Sequence, residues 1–188
     1  YVLKNIREAV KILEQSPFFP SIIPESQSNI VMALPYAFDE SHVAGIPGRI
    51  VRAGNFAKAS SCPEFGASHH VASAVLVAMK HDPSIRAGLN IKYSEDLLEI
   101  CEKLGLTISF YDRKLEPLDV KKLEGMSIKW GTEEAIKKIG KVPDLIYHTG
   151  DWGKEPMITI LGKTAVEVSE VANRIAEEYV KKSKRLKF

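Results

Sequence analysis

Short apolar runs at residues 30–34, 49–53, 89–93, 107–111, 145–148 and 157–161 are separated by stretches with helical periodicity, and this interleaving constrains the fold more than any other feature of the chain. Brief β-prone runs bounded by Gly, Pro, Asn or Asp suit strands. Val2, Leu3, Ile6, Val10 and Leu13 recur at near-helical spacing, so residues 2–15 form an amphipathic helix that Pro17 ends. Residues 67–79 have the small and apolar side chains of a buried helix, closed by Asp82-Pro83. Ser94 is placed to cap a helix over 95–104 that Gly105 terminates, and Thr132 to cap one over 133–139. A last helix over 165–182 turns Val166, Val168, Val171, Ile175 and Val180 to one side. Helices alternating with strands predict a layered α/β domain.

The 188 residues, 45% of them hydrophobic, suffice for one sizeable core. Pro17, Pro20 and Pro24 make residues 17–28 an ordered loop or linker. The domain reading is therefore 1–28 as an N-terminal helix and linker from an upstream domain, and 29–188 as the domain that carries the chemistry. Because the chain starts with Tyr1, it is expected to be a piece of a longer polypeptide.

The charge balance, 26 basic against 24 acidic residues, argues against a nucleic-acid surface. Lys181, Lys182, Lys184, Arg185 and Lys187 read as charges complementing a helix dipole and as a solvated tail. Cys62 and Cys101 lack C-x-x-C spacing, which disfavours a disulfide framework or structural zinc. No apolar stretch approaches the roughly 20 residues that span a bilayer, so a soluble, cytoplasmic protein is expected.

Three stretches carry polar chemistry. In Glu64-Phe65-Gly66-Ala67-Ser68-His69-His70 a glycine turn feeds a buried helix, whose free first-turn N–H groups can bind phosphate. The plainer reading has Gly66 making a turn and Ser68 capping the helix. Adjacent histidines on a helix point about 100° apart, so at most one of His69 and His70 serves a site. A histidine at a helix N-terminus is pushed toward its neutral form. Gly45-Ile46-Pro47-Gly48-Arg49 is a tight turn presenting Arg49, whose guanidinium forks onto phosphate oxygens, with Arg52 on the same strand face; the plainer reading is an ordinary surface arginine. Asp144 to Pro156 is a strand that ends in a polar loop, where Asp151 and Glu155 can hold Mg²⁺, Lys154 can meet a phosphate and His148 lies at the strand end; a hairpin loop with its charged residues in water accounts for the stretch equally. Asp112, Arg113 and Asn90 are lesser candidates at strand ends. The histidines, His42, His69, His70, His81 and His148, lack H-x-x-x-H spacing, so a zinc aldolase is the weaker metal reading.

Gly-Ile-Pro-Gly-Arg at 45–49, Phe-Gly-Ala-Ser-His-His-Val-Ala at 65–72, Asn-Ile-Lys-Tyr at 90–93 and Pro-Asp-Leu-Ile-Tyr-His-Thr-Gly-Asp-Trp-Gly-Lys-Glu-Pro at 143–156 together resemble the ThiN family of thiamine-phosphate synthases. The resemblance spans nearly the whole chain. It implies a three-layer α/β/α domain with a mixed sheet, like the class II aldolase (AraD-like) fold. It also implies condensation of hydroxymethylpyrimidine diphosphate with hydroxyethylthiazole phosphate, with Mg²⁺ as cofactor. The family's catalytic arginine and histidine fall on Arg49 and His70, whereas the zinc-binding histidines of the related aldolases find no counterpart. Gly66, Ala67, Ser68, Asn90, Asp112, Arg113, His148, Asp151 and Lys154 are then the substrate and phosphate contacts. The partners implied are the two phosphorylated heterocycles and a fused N-terminal hydroxymethylpyrimidine phosphate kinase; a homodimer is left open. Two alternatives stand beside this reading: a thiamine-phosphate-sensing domain of a transcriptional regulator, and a metal-dependent aldolase-like enzyme.

Overall fold

The computed structural model describes residues 1–123 and 125–185, so Lys187 of the basic run lies outside the described residues. In chain order the elements are α1 (Val2–Gln15), β1 (Ile30–Ala33), β2 (Val43–Gly45), β3 (Ile50–Ala53), β4 (Phe56–Ala59), β5 (Glu64–Phe65), α2 (His70–His81), β6 (Ala87–Lys92), α3 (Glu95–Lys103), β7 (Ile108–Phe110), α4 (Leu118–Lys121), α5 (Met126–Ile139), β8 (Leu145–His148), β9 (Met157–Gly162) and α6 (Ala165–Arg185). Short 3₁₀ turns lie at Phe19–Ile22, Glu40–His42 and Arg113–Leu115. The main sheet has seven strands in the order β5-β2-β1-β6-β9-β8-β7. It is mixed: β7 and β8 pair in parallel and the other neighbours are antiparallel.

Alternation along the strands separates two cores, because successive side chains leave a strand on opposite faces. Ile30, Met32, Leu89, Ile91, Leu145, Ile158 and Ile160 pack with α1, α3 and α6. Val31, Ala33, Ile146 and Leu161 pack with α2 and α5 on the other face. The architecture is the expected three-layer α/β/α with a mixed sheet.

Residues 1–28 are built into this fold. Val2, Ile6, Ala9 and Leu13 of α1 are buried in the first core, as are Phe19 and Ile22. Burying each large side chain among them contributes about 1.5–3 kcal/mol. The Asn5 carboxamide oxygen accepts the Ala165 N–H at 2.8 Å and so caps α6 across the whole length of the chain.

Several local expectations are corrected. β3 pairs with β4 in a separate two-stranded sheet and meets Ser28 through an isolated bridge at Ile50, and Arg49 precedes the strand rather than sharing a face with Arg52. Helix α2 starts at His70, not 67, and its cap residue is His69, with no side-chain cap from Ser68. Helix α5 starts at Met126, so Thr132 lies inside it and caps nothing. Gly131, just before Thr132, also lies inside the helix rather than ending it. A Cβ there would come within 2.3 Å of the Tyr111 ring, so the glycine serves close packing instead. The C-terminal lysines are partly committed: Lys181 pairs with Glu177 and Glu178 at 2.9 Å, and Lys182 with Asp96 and Glu99. Among the described residues, no helix is long and apolar enough to cross a membrane.

Candidate active site

Strand register gathers the chemistry at one edge of the sheet. The pairs Met32 with Ala44, Ile30 with Leu89, Phe110 with Tyr147, and Lys92 and His148 with Met157 put the C-terminal ends of β2, β6, β7 and β8 beside the N-terminal ends of β1 and β9. Loops at 25–29, 46–49, 111–116 and 149–156 leave from that edge. Helix α2 returns to β6 through a short turn, which brings its N-terminus and His70 to the same side. Open α/β sheets commonly bind ligands at such an edge.

Arg49 is held by a relay of hydrogen bonds. Asn90 lies in β6, where its carboxamide oxygen accepts the Asn29 N–H at 2.7 Å and its NH₂ donates to the Gln27 carbonyl at 3.0 Å. Asn29 in turn clamps Ile46, accepting its N–H at 2.9 Å and donating to its carbonyl at 3.0 Å. The turn that follows leaves Arg49 at φ 69°, a left-handed conformation that costs a non-glycine residue about 1 kcal/mol or more. The Arg49 guanidinium donates to the Ser26 carbonyl. Both oxygens of Glu155 accept from the same loop, from the Glu25 N–H at 2.8 Å and the Ser26 N–H at 3.0 Å. Asn90 and Glu155 are thus spent on positioning the arginine.

His70 lies in the field of several cations. Packing strips part of its hydration, and Arg49, Arg113 and Lys154 add repulsion, so its imidazole is held below the ordinary histidine range. His148, only 6% exposed, is lowered to about 4, chiefly by burial and then by Arg113 and Lys154. Its Nδ1 accepts the Gly150 N–H at 3.1 Å, which leaves the proton of the neutral ring on Nε2. The edge therefore presents permanent cations and two neutral imidazoles, a set suited to polyanions.

The loop before α2 contributes less than its sequence suggests. The Gly66 N–H donates to the Val43 carbonyl at 3.0 Å, so it is not available to a ligand. Ser68 is buried, and the α2 N-terminus that follows has no side-chain cap. Asp112 accepts the Lys114 N–H at 2.9 Å and caps a 3₁₀ turn. Asp151 is held low by the Trp152 N–H and by Lys121, whose ammonium lies 3.2 Å away. With Asp151 paired and Glu155 bound to backbone amides, these two carboxylates do not fit a protein-held Mg²⁺. The remaining histidines have carboxylates of their own: His69 with Glu40 at 2.6 Å, His42 with Asp39 at 3.0 Å and His81 with Glu133 at 2.9 Å. Among the described residues, no group of three or more His, Cys, Asp or Glu could hold a metal, so a zinc aldolase has no ligand set there.

Residues 5–174 match the family model described as thiamine-phosphate synthase ThiN. The chain belongs to the ThiN family. It is 44% identical over 177 residues to a thiamine-phosphate synthase ThiN of Methanothermobacter thermautotrophicus, covering 94% of this chain and 93% of that relative. It is 42% identical to the bifunctional thiamine biosynthesis protein ThiDN of Methanocaldococcus jannaschii, covering 95% of this chain but 41% of that protein. A crystal structure of the C-terminal domain of a phosphomethylpyrimidine kinase superposes with a TM-score of 0.86 at 44% identity, covering 93% of this chain and 97% of that one. A sugar-phosphate aldolase from Thermotoga maritima, at 12% identity and a TM-score of 0.51 over 95% and 94% of the two chains, shares the fold.

Sequence reasoning missed residues that act through their backbone or as isolated acids. Ser26 and Gln27 meet Arg49 and Asn90 through carbonyl groups, which carry no side-chain signal. Glu116, lone in a Leu-Glu-Pro stretch, is buried beside Arg113. The loop that carries Lys154 depends on Gly150, at φ 82°, where a Cβ would meet the Lys154 carbonyl oxygen at 2.4 Å. In this ThiN-family chain, Gly150→Ala is expected to cost about 1–3 kcal/mol and displace Lys154. Thermal unfolding should show a Tm several degrees lower; an unchanged Tm would mean that the loop accommodates the methyl group.

Proposed function

We propose that this chain is a thiamine-phosphate synthase that condenses hydroxymethylpyrimidine diphosphate with hydroxyethylthiazole phosphate, giving thiamine phosphate and pyrophosphate. One observation supports this reading most: Arg49 and His70, which fall in separate sequence motifs, share an edge with His148 and Lys154, and the charges of Arg49 and Lys154 both act on His70. Two phosphorylated substrates require such a concentration of donors and positive charge. The near-full-length kinship to a named synthase agrees with it. Kinship to the bifunctional ThiDN and to the C-terminal domain of a phosphomethylpyrimidine kinase supports a fused kinase as the natural neighbour.

In the reaction, the C–O bond at the pyrimidine methylene breaks and its electron pair leaves with the diphosphate. The aminopyrimidine ring releases electron density to that carbon. The thiazole nitrogen donates its lone pair to form the new C–N bond and becomes the positively charged thiazolium nitrogen. Arg49 and Lys154 stabilise the charge that grows on the leaving group, while the neutral His70 donates an N–H to a phosphate oxygen. The N–H groups of Ala67 and Ser68 and the α2 N-terminus are assigned to a phosphate. Mg²⁺ is assigned to the diphosphate as its counter-ion, not to a site on the protein.

His70→Asn tests the imidazole's part. It is expected to lower kcat by on the order of 10²-fold with little change in either KM, since a donor used mainly in the transition state is lost. An unchanged kcat in steady-state kinetics would show that the ring only decorates the helix.

A further inference from the structure

Arg113 and Glu116 form a buried pair left open. Each residue is 6% exposed, yet the Arg113 guanidinium and the Glu116 carboxylate approach only to 3.9 Å. Arg113 Nε and Glu116 Oε1 are both buried without a hydrogen-bond partner among the described residues. Buried ionised groups are normally paired closely and fully bonded, so an orphaned donor beside an orphaned acceptor calls for a missing partner. The pair lies in the loop after β7, two residues beyond Tyr111, whose ring centroid is 5.2 Å from that of His148. Tyr111 is buried and packed against Gly131, which fixes the position of its ring.

The chemistry of the pair does not suit a phosphate. Glu116 cancels the charge of Arg113 and would repel an anion, whereas Arg49 and Lys154 have no carboxylate within salt-bridge distance among the described residues. A donor beside an acceptor matches a neutral heterocycle with an acceptor nitrogen next to an amino group. Of the two proposed substrates only the aminopyrimidine has such an edge, because the thiazole carries no N–H.

We propose that Arg113 and Glu116 read the aminopyrimidine edge of the substrate, Arg113 Nε donating to a ring nitrogen and Glu116 Oε1 accepting from the neighbouring amino group. This deepens the synthase reading and rests on it. Glu116 becomes a specificity-determining residue, and Arg113 serves the ring rather than a phosphate.

The test is a binding cycle that pairs the protein with a ligand lacking the amino group. Hydroxymethylpyrimidine diphosphate and its des-amino analogue are titrated calorimetrically into the wild-type chain, Glu116→Met, and the double variant Arg113→Met with Glu116→Met. The double variant guards against misfolding caused by an unpaired buried arginine. On the wild type, deleting the amino group should weaken binding on the order of 10–100-fold. In the variants the same deletion should cost less than about 3-fold. In turnover, Glu116→Met should raise KM for the pyrimidine diphosphate and leave KM for the thiazole phosphate unchanged. Equal losses in all three proteins, or equal rises in the two KM values, would overturn the proposal. If the wild type makes thiamine phosphate but shows no coupling, the pair's role falls alone; a wild type with no turnover removes the synthase reading instead.

Discussion

Arg49→Ala is expected to lower kcat by on the order of 10²–10³-fold while the protein stays folded. The guanidinium is exposed and tethered to the Ser26 carbonyl, so its removal empties no core and leaves no buried charge. The backbone strain is unchanged as well, since alanine at φ 69° is no better off than arginine. Unfolding free energy should therefore move by less than about 1 kcal/mol. Arg49→Lys keeps the charge without the planar fork and should recover only part of the rate. Steady-state kinetics and urea unfolding on the same preparations separate the two effects. Near-normal turnover in Arg49→Ala would remove this residue from the mechanism.

The second large effect is on stability against pH, and it comes from His148. The folded protein holds this imidazole near pKa 4, whereas in the unfolded chain it returns to about 6.5. Below pH 6.5 the unfolded state binds a proton that the folded state refuses, so stability falls as pH falls and the loss is complete near pH 4. Integrated over the shift this amounts to about 3 kcal/mol, of which about 2 kcal/mol is lost between pH 6.5 and 5. His70 shifts in the same direction and adds to the slope. His148→Asn keeps an acceptor for the Gly150 N–H and removes the titration. Urea unfolding at pH 7, 6 and 5 should show a flatter profile for the variant, even if it is less stable at pH 7. Parallel profiles would mean that burial of His148 does not control acid stability.

Much of the architecture was legible in the sequence because period and punctuation are local. Helix α1 has the bounds its apolar spacing predicts, and the Ser94 hydroxyl does accept the Leu97 N–H at 3.2 Å to cap α3. Failures came where tertiary contact overrides a local signal. Thr132 reads as a helix cap, yet Met126–Ile139 is one helix in which Gly131 packs against the Tyr111 ring. Strand β2 has only three residues, too few for a periodic signal, yet it sets the register of the turn that presents Arg49. Residues 17–28 read as a loop or linker because of their prolines, while Phe19 and Ile22 tie them into the same core as α1.

The site divides in the same way. Arg49, His70, His148 and Lys154 stand in motifs, and a motif marks where function is concentrated. Asn90 and Glu155 stand in motifs too and Asp112 at a strand end, but their polar atoms are used internally, and only hydrogen-bond partners reveal that. Charge alone made Asp151 and Glu155 look like metal ligands. Lys121 and the amides of Glu25 and Ser26 occupy them instead.

The central claim is that this edge of the sheet performs a condensation, not only the recognition of its product. The most direct measurement supplies the purified chain with hydroxymethylpyrimidine diphosphate, hydroxyethylthiazole phosphate and Mg²⁺, and follows thiamine phosphate and pyrophosphate together. The account predicts multiple turnovers, one pyrophosphate for each thiamine phosphate, and no release of pyrophosphate when the thiazole is withheld. Tight binding of thiamine phosphate with no product formed from the two substrates would contradict it and make the chain a sensor.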